Sequence, residues 1–183
     1  KMVASGKYQD EIDYLVSSKS RNNFIKNLSL KIKGNTLILF QLVEKHGKGL
    51  YELIRNKAEN RDVFFVYGGV DAEQREKVRE ITEKSNNAII VASYGTFSTG
   101  INIRNLHNII FASPSKSRIR NLQSIGRGLR LGDNKVNATL YDIADDMQYK
   151  SKENFTLKHF QERINIYTEE EFDYEIHNIN LKD

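Results

Sequence analysis

The chain has no cysteine, no tryptophan and a single proline among its 183 residues. Without cysteine it can build no disulfide framework, thiolate metal site or thiol nucleophile. No apolar run approaches the roughly 20 residues that a membrane-spanning helix requires, and no secretory apolar segment opens the chain. A cytoplasm is the simplest compartment. The chain opens on Lys1 rather than Met and reads as a fragment or processed product. Internal repeats and low-complexity tracts are missing too. So is the phosphate-cradling loop G-x-x-x-x-G-K-[ST] of a self-sufficient nucleotide-hydrolysing domain. His46-Gly47-Lys48-Gly49 has a Gly-Lys pair, but no glycine stands five positions before Gly47, and Gly49 sits where the hydroxyl residue belongs.

What is present is an ordinary globular composition, 39% hydrophobic and 28% charged, with a formal net charge of +4. That allows one domain with a good core and permits nucleic-acid binding without demanding it. Five short runs are apolar on consecutive positions: Thr36–Phe40, Val63–Tyr67, Ala88–Ala92, Asn108–Ala112 and Ala138–Asp142. Strands covered on both faces read this way, as in a parallel sheet. Helical periodicity separates them. Leu50, Leu53, Ile54 and Ala58 recur at three- and four-residue spacing, and Asp71 with Gln74 forms a capping pattern ahead of Val78 and Ile81. Arg118–Leu131 carries Ile119, Leu122 and Ile125 as an apolar stripe. The alternation predicts an α/β domain with a mostly parallel central sheet. Helices over Tyr8–Ser18 and Arg21–Ile32 make residues 1–34 a lead-in from a preceding domain. The main domain spans 35–148. An extension over 149–183 contains a helix, Glu153–Tyr167, and a closing strand, Phe172–Ile176, read from alternating apolar and acidic residues.

The densest motif is Gln123-Ser124-Ile125-Gly126-Arg127-Gly128-Leu129-Arg130, of the form Q-x-x-G-R-x-x-R. On a helix, Arg127 and Arg130 share a face, and two permanently charged guanidinium forks can grip one phosphate from both sides. Lys116, Arg118 and Arg120 precede them with no acid between. A chain with arginine fingers but no phosphate loop looks like half of a split active site. Two further segments agree. Tyr67-Gly68-Gly69-Val70 follows a strand and precedes the capped helix carrying Arg75, and paired glycines let a backbone turn sharply or approach a ligand. Ser93–Ile103 strings hydroxyls and glycines off the carboxyl end of a strand, where open α/β sheets bind ligands. Backbone N–H groups and hydroxyls are the usual sequence-blind phosphate contacts. Asp142, Asp145 and Asp146 end a strand but lack a preceding phosphate loop, so they are set aside as metal ligands. His46, His107, His159 and His177 show no ligand spacing and are read as surface or packing residues.

In this order the segments resemble the second RecA-like domain of superfamily 2 helicases: Thr36–Gln41 its motif IV, Gly68-Gly69 with Arg75 the signature after it, Ser93–Ile103 motif V and Gln123–Arg130 motif VI. The likeness covers roughly Asn35 to Asp146 and extends more narrowly to a bacteriophage recombination helicase. It implies a RecA-like three-layer fold, and it implies work on branched DNA such as forks and recombination junctions, in the cytoplasm of an infected bacterium. It also implies that Arg127 and Arg130 contact the γ-phosphate of ATP bound to an N-terminal RecA-like domain of the same protein. Gln123 helps place that phosphate, Gly100 approaches the nucleotide and Asn102 meets the ribose. Many members carry Asp where Asn102 stands, so the contact here is uncharged. Ser93, Thr96, Gly68 and Gly69 touch the DNA backbone. ATP and Mg²⁺ are bound mainly by the missing first domain, and no membrane is involved. Two rivals stand beside this reading: a non-enzymatic nucleic-acid-binding α/β module, and a small-molecule α/β enzyme, for which the set-aside aspartates are the only candidates.

Overall fold

A computed structural model describes residues 6–100, 103–114 and 138–182. Its centre is a sheet of five strands, β1 (Thr36–Phe40), β2 (Val63–Val66), β3 (Ile89–Ser93), β4 (Asn108–Phe111) and β5 (Thr139–Asp142), in the order β2-β3-β1-β4-β5. All four pairings are parallel, as the consecutive apolar runs predict.

Side-chain alternation explains those runs. Leu37 and Leu39 of β1, Ile90 and Ala92 of β3, and Ile109 and Phe111 of β4 enter one core. Ile38 and Phe40, Ile89 and Val91, and Ile110 enter the other. β1, β3 and β4 bury both faces and so carry no polar alternation, while the edge strands β2 and β5 are only partly covered. On the second face lie α2 (Lys19–Lys31), with Ile25, and α3 (Lys48–Arg55), with Leu50 and Ile54. The first face packs Val78 of α4 (Ala72–Lys84), Tyr94 and Phe97 of α5 (Tyr94–Gly100), and Ile166 and Tyr167 of α6 (Phe155–Glu169). The chain steps from β1 outward to β2 through α3 and back to β3 through α4. Right-handed crossovers in opposite directions require helices on opposite faces, which is where α3 and α4 lie. The result is the three-layer α/β fold expected.

The lead-in region is built into these layers. α1 (Tyr8–Ser17) reaches across to α6. The buried Glu11 carboxylate accepts from the backbone N–H groups of Phe155 (3.0 Å) and Thr156 (2.7 Å) and from Asn154 Nδ2 (2.8 Å). It thereby satisfies first-turn donors that α6 leaves open. Burial opposes ionisation of Glu11, but the hydrogen bonds from Asn154, Thr156 and Phe155 outweigh it and hold the carboxyl below its ordinary value.

The segment after β3 is a helix, with Tyr94 and Phe97, three residues apart, both reaching the core. Two local expectations are corrected. α3 ends at Arg55, short of Ala58, and is preceded by a π-helical turn over Val43–Gly47. Phe172–Ile176 is no strand. Phe172 instead completes the end of α6: its N–H donates to Tyr167 O (2.9 Å), that of Glu171 to Thr168 O (3.1 Å), Glu171 takes a positive φ of 56°, and the Phe172 and Tyr167 rings meet edge-on. Such a cap satisfies the last carbonyls and turns the chain away from the sheet. The helix expected over Arg118–Leu131 lies outside the described residues.

Candidate functional site

In a parallel sheet all carboxyl ends gather at one edge, and ligands bind where neighbouring strands continue in opposite directions. Here β1 leaves toward β2 while its neighbour β4 leaves toward β5. The candidate site is therefore the edge carrying Gln41, Tyr67–Gly69, Ser93–Thr96 and Ala112–Pro114.

Two of its pieces are side by side. Val66 of β2 is in register with Ala92 of β3, so Tyr67 and Ser93 leave the sheet together. Beyond Tyr67 the chain turns, with Val70 N–H donating to Tyr67 O at 3.0 Å. Gly68 and Gly69 are exposed at the tip. A Cβ at Gly69 would lie 2.7 Å from the Tyr67 ring, which would have to shift, whereas at Gly68 the space is open. Ser93 caps α5 locally: its Oγ lies 2.7 Å from Thr96 Oγ1 and accepts from Thr96 N–H at 3.4 Å. Thr96 is buried and Ser93 only partly so, so of the two hydroxyls Ser93 is the one a ligand can reach. The structure thus brings Gly68, Gly69, Ser93 and Thr96 to adjoining strand ends. Gly100 closes α5. Asn102, Gln123, Arg127 and Arg130 lie outside the described residues; the last three belong to the connection between β4 and β5.

The aspartates at this edge are held by arginines that sequence reasoning missed. Arg163 of α6 donates to Asp142 through Nε (2.6 Å) and Nη2 (2.9 Å), and Tyr167 OH donates to the same carboxylate at 2.6 Å. Burial opposes the Arg163 charge, but Asp142 more than restores it and raises its pKa; burial and the same carboxylate push the Tyr167 phenol up. Arg21 of α2, 1% exposed, donates to both Asp145 oxygens (2.7 and 2.9 Å) and to Ala112 O (2.6 Å). It ties the exit of β4 to the chain beyond β5. Among the described residues no cluster of three or more acidic or histidine side chains could hold a metal ion. A signal for both arginines was available: Arg21 keeps step with Phe24, Ile25 and Leu28, and Arg163 with Phe160 and Tyr167. A basic residue in register with an apolar stripe faces inward and requires a buried anion.

The family model of the helicase conserved C-terminal domain matches residues 19–132. The ATP-dependent DNA helicase uvsW of Enterobacteria phage T4 is 38% identical over 187 residues, covering 95% of this chain and 37% of uvsW. IRC3 of Saccharomyces cerevisiae is 29% identical over 134 residues, covering 70% of this chain and 19% of IRC3. The chain therefore spans well under half of either curated relative. The crystal structure of T4 UvsW superposes with a TM-score of 0.82 at 37% identity, over 98% of this chain and 38% of that one. Domain 2 of the Mss116p DEAD-box helicase, solved bound to an RNA duplex, superposes with a TM-score of 0.55 at 16% identity, over 69% of this chain and 50% of that one. That last likeness shows the fold alone. No described helix is long and apolar enough to cross a membrane.

Proposed function

The chain belongs to the helicase conserved C-terminal domain family, and from that membership we propose that it is the second motor domain of an ATP-dependent DNA helicase. The observation that carries this reading is the 38% identity to uvsW across 95% of the chain, supported by a Q-x-x-G-R-x-x-R segment that falls between β4 and β5 in chain order. The chain lacks a phosphate loop. ATP and Mg²⁺ are therefore held mainly by an N-terminal RecA-like domain, and this domain completes the pocket. Arg127 and Arg130 reach the γ-phosphate, Gln123 helps place it, and Gly100 and Asn102 meet the rest of the nucleotide. Charge that spreads over the transferring phosphoryl group is what guanidinium fingers stabilise. Asp142 and Asp145, committed to Arg163 and Arg21, act as structural anions.

The neighbouring strand ends of β2 and β3 supply the nucleic-acid grip. Ser93 offers an accessible hydroxyl, Gly68 and Gly69 an exposed backbone, and buried Thr96 holds Ser93 in place. Contacts of this kind fix register on a phosphate backbone without reading sequence. Closure of the two domains on ATP then moves one grip relative to the other. Branched DNA, forks and recombination junctions, is the proposed substrate, and the cytoplasm of an infected bacterium the proposed setting. Both follow from the likeness to the phage helicase. The test is Arg127→Ala in the complete protein. Turnover should fall by about 10³-fold or more while ATP binding stays nearly intact. If turnover survives and only the salt dependence of DNA binding changes, the arginines grip DNA and the chain is a binding module instead.

A further inference from the structure

A buried polar cluster lies beneath the carboxyl edge of the sheet. His46 is 2% exposed and Ser113 fully buried, and they come from the π-helical turn after β1 and from the exit of β4. Asn22 Nδ2 donates to Val16 O (3.0 Å), which turns Asn22 Oδ1 toward His46 Nε2 at 3.0 Å. That orientation makes Nε2 the protonated nitrogen and leaves Nδ1 to accept from the Ser113 hydroxyl, 2.6 Å away. Ser113 Oγ in turn accepts from Gln41 N–H (3.1 Å), and Ser113 O accepts from Tyr94 OH (3.3 Å). The π-turn serves this chain of bonds: it rotates His46 inward, and it packs Gly47 so closely on Phe40 that a Cβ would lie 2.4 Å from the ring. π-turns of this kind are uncommon and recur at functional sites.

The cluster's position gives it a function. Ser113 is the penultimate described residue before the connection that carries Gln123, Arg127 and Arg130, and Tyr94 is the first residue of the helix that follows the Ser93 grip. We propose that His46, Ser113 and Tyr94 are positioning residues for ATP turnover: they hold the exit of β4 against β1 and α5, so that the arginine-bearing connection starts from a fixed point coupled to the nucleic-acid grip. This rests on the arginine-finger reading. Misplacing a catalytic group by about 1 Å costs up to about 10²-fold in rate, so the start of the connection must be held to better than that.

The test uses the complete protein with DNA and measures kcat, KM and the equilibrium affinity for ATP. Ser113→Ala should lower kcat by about 10- to 100-fold with ATP affinity unchanged, and Ser113→Thr, which keeps the hydroxyl, should restore much of it. Tyr94→Phe keeps the ring packed on Phe111 and removes only the hydroxyl; it should lower kcat by about 3- to 10-fold, and it decides the matter if Ser113→Ala does not fold. Residues that act as a unit lose activity non-additively, so neither substitution should reduce the residual rate of Arg127→Ala further. A full multiplicative loss in that background, or a loss confined to KM or to melting temperature, would overturn the proposal. If Arg127→Ala alone leaves kcat unchanged, it is the finger reading that fails, and the double variant shows which of the two is wrong.

Discussion

Replacing Arg21 with methionine should destabilise this domain by about 3–5 kcal/mol, the range for removing one partner of a buried ion pair. Burial puts this perturbation well above the roughly 0–1 kcal/mol that a surface ion pair contributes. Arg21 is 1% exposed, donates twice to Asp145, and donates once to Ala112 O. Methionine fills much of the same volume, so packing loss is small. What remains is a carboxylate at 11% exposure with no cation, plus a buried carbonyl without that donor. A chain of this length loses about 2–4 °C of melting temperature per kcal/mol, so the midpoint should fall by about 6–20 °C. The assay is urea and thermal unfolding followed by far-UV circular dichroism. Arg21→Met combined with Asp145→Leu should recover all but about 1–2 kcal/mol, the residue belonging to the Ala112 carbonyl. A single-variant loss below about 1 kcal/mol, or a double variant no better than the single, would refute the claim that this pair clamps the β4 and β5 exits.

Other perturbations follow from the same geometry. Glu11→Gln should cost about 1 kcal/mol at pH 7, as a lost helix cap does; because the folded pKa is depressed below 4.5, the advantage of the wild type is complete above that pH and disappears as pH falls through the lower folded value, which melts taken from pH 7 to pH 3 will show. Gly47→Ala should cost about 1–3 kcal/mol, since the fully buried Phe40 ring cannot yield, whereas Gly49→Ala on the open side of α3, with nothing within 4 Å, should be stabilising by about 0.5–1 kcal/mol in the same unfolding assay. Ser93→Ala should weaken DNA binding about fivefold, the value of one neutral hydrogen bond, equally for all sequences and without altering the salt slope, because a hydroxyl releases no counterion; fluorescence anisotropy across a salt series measures both.

The central sheet was legible because its cause is local: strands buried on both faces lose polar alternation, and Leu37–Ile38–Leu39 or Ile89–Ile90–Val91 can be read as nothing else once helical stripes flank them. The Asp71 cap was legible for the same reason, its carboxylate accepting from Gln74 N–H at 2.8 Å. What escaped the reading depends on partners far along the chain. Phe172 alternates with acids like a strand residue, but only the presence of Tyr167 at the end of α6 diverts it into a helix cap. His46 sits in a polar, glycine-rich stretch, and its burial is decided by Ser113, 67 residues on. Asp142 and Asp145, set aside as metal ligands for want of a phosphate loop, have their actual partners in Arg163 and Arg21, 21 and 124 residues away. Of the candidate site, the hydroxyl and glycine segments could be placed by their strands, whereas the accessibility of Ser93 over Thr96 required the fold.

The proposed motor half donates cationic groups to a nucleotide pocket that it cannot form alone. Mixing this chain with a separately produced N-terminal RecA-like domain and DNA, and following phosphate release from ATP, addresses that directly. Hydrolysis should appear only in the complete mixture and vanish when Arg127→Ala is used. Turnover by the isolated chain, abolished by Arg130→Ala, would contradict the account.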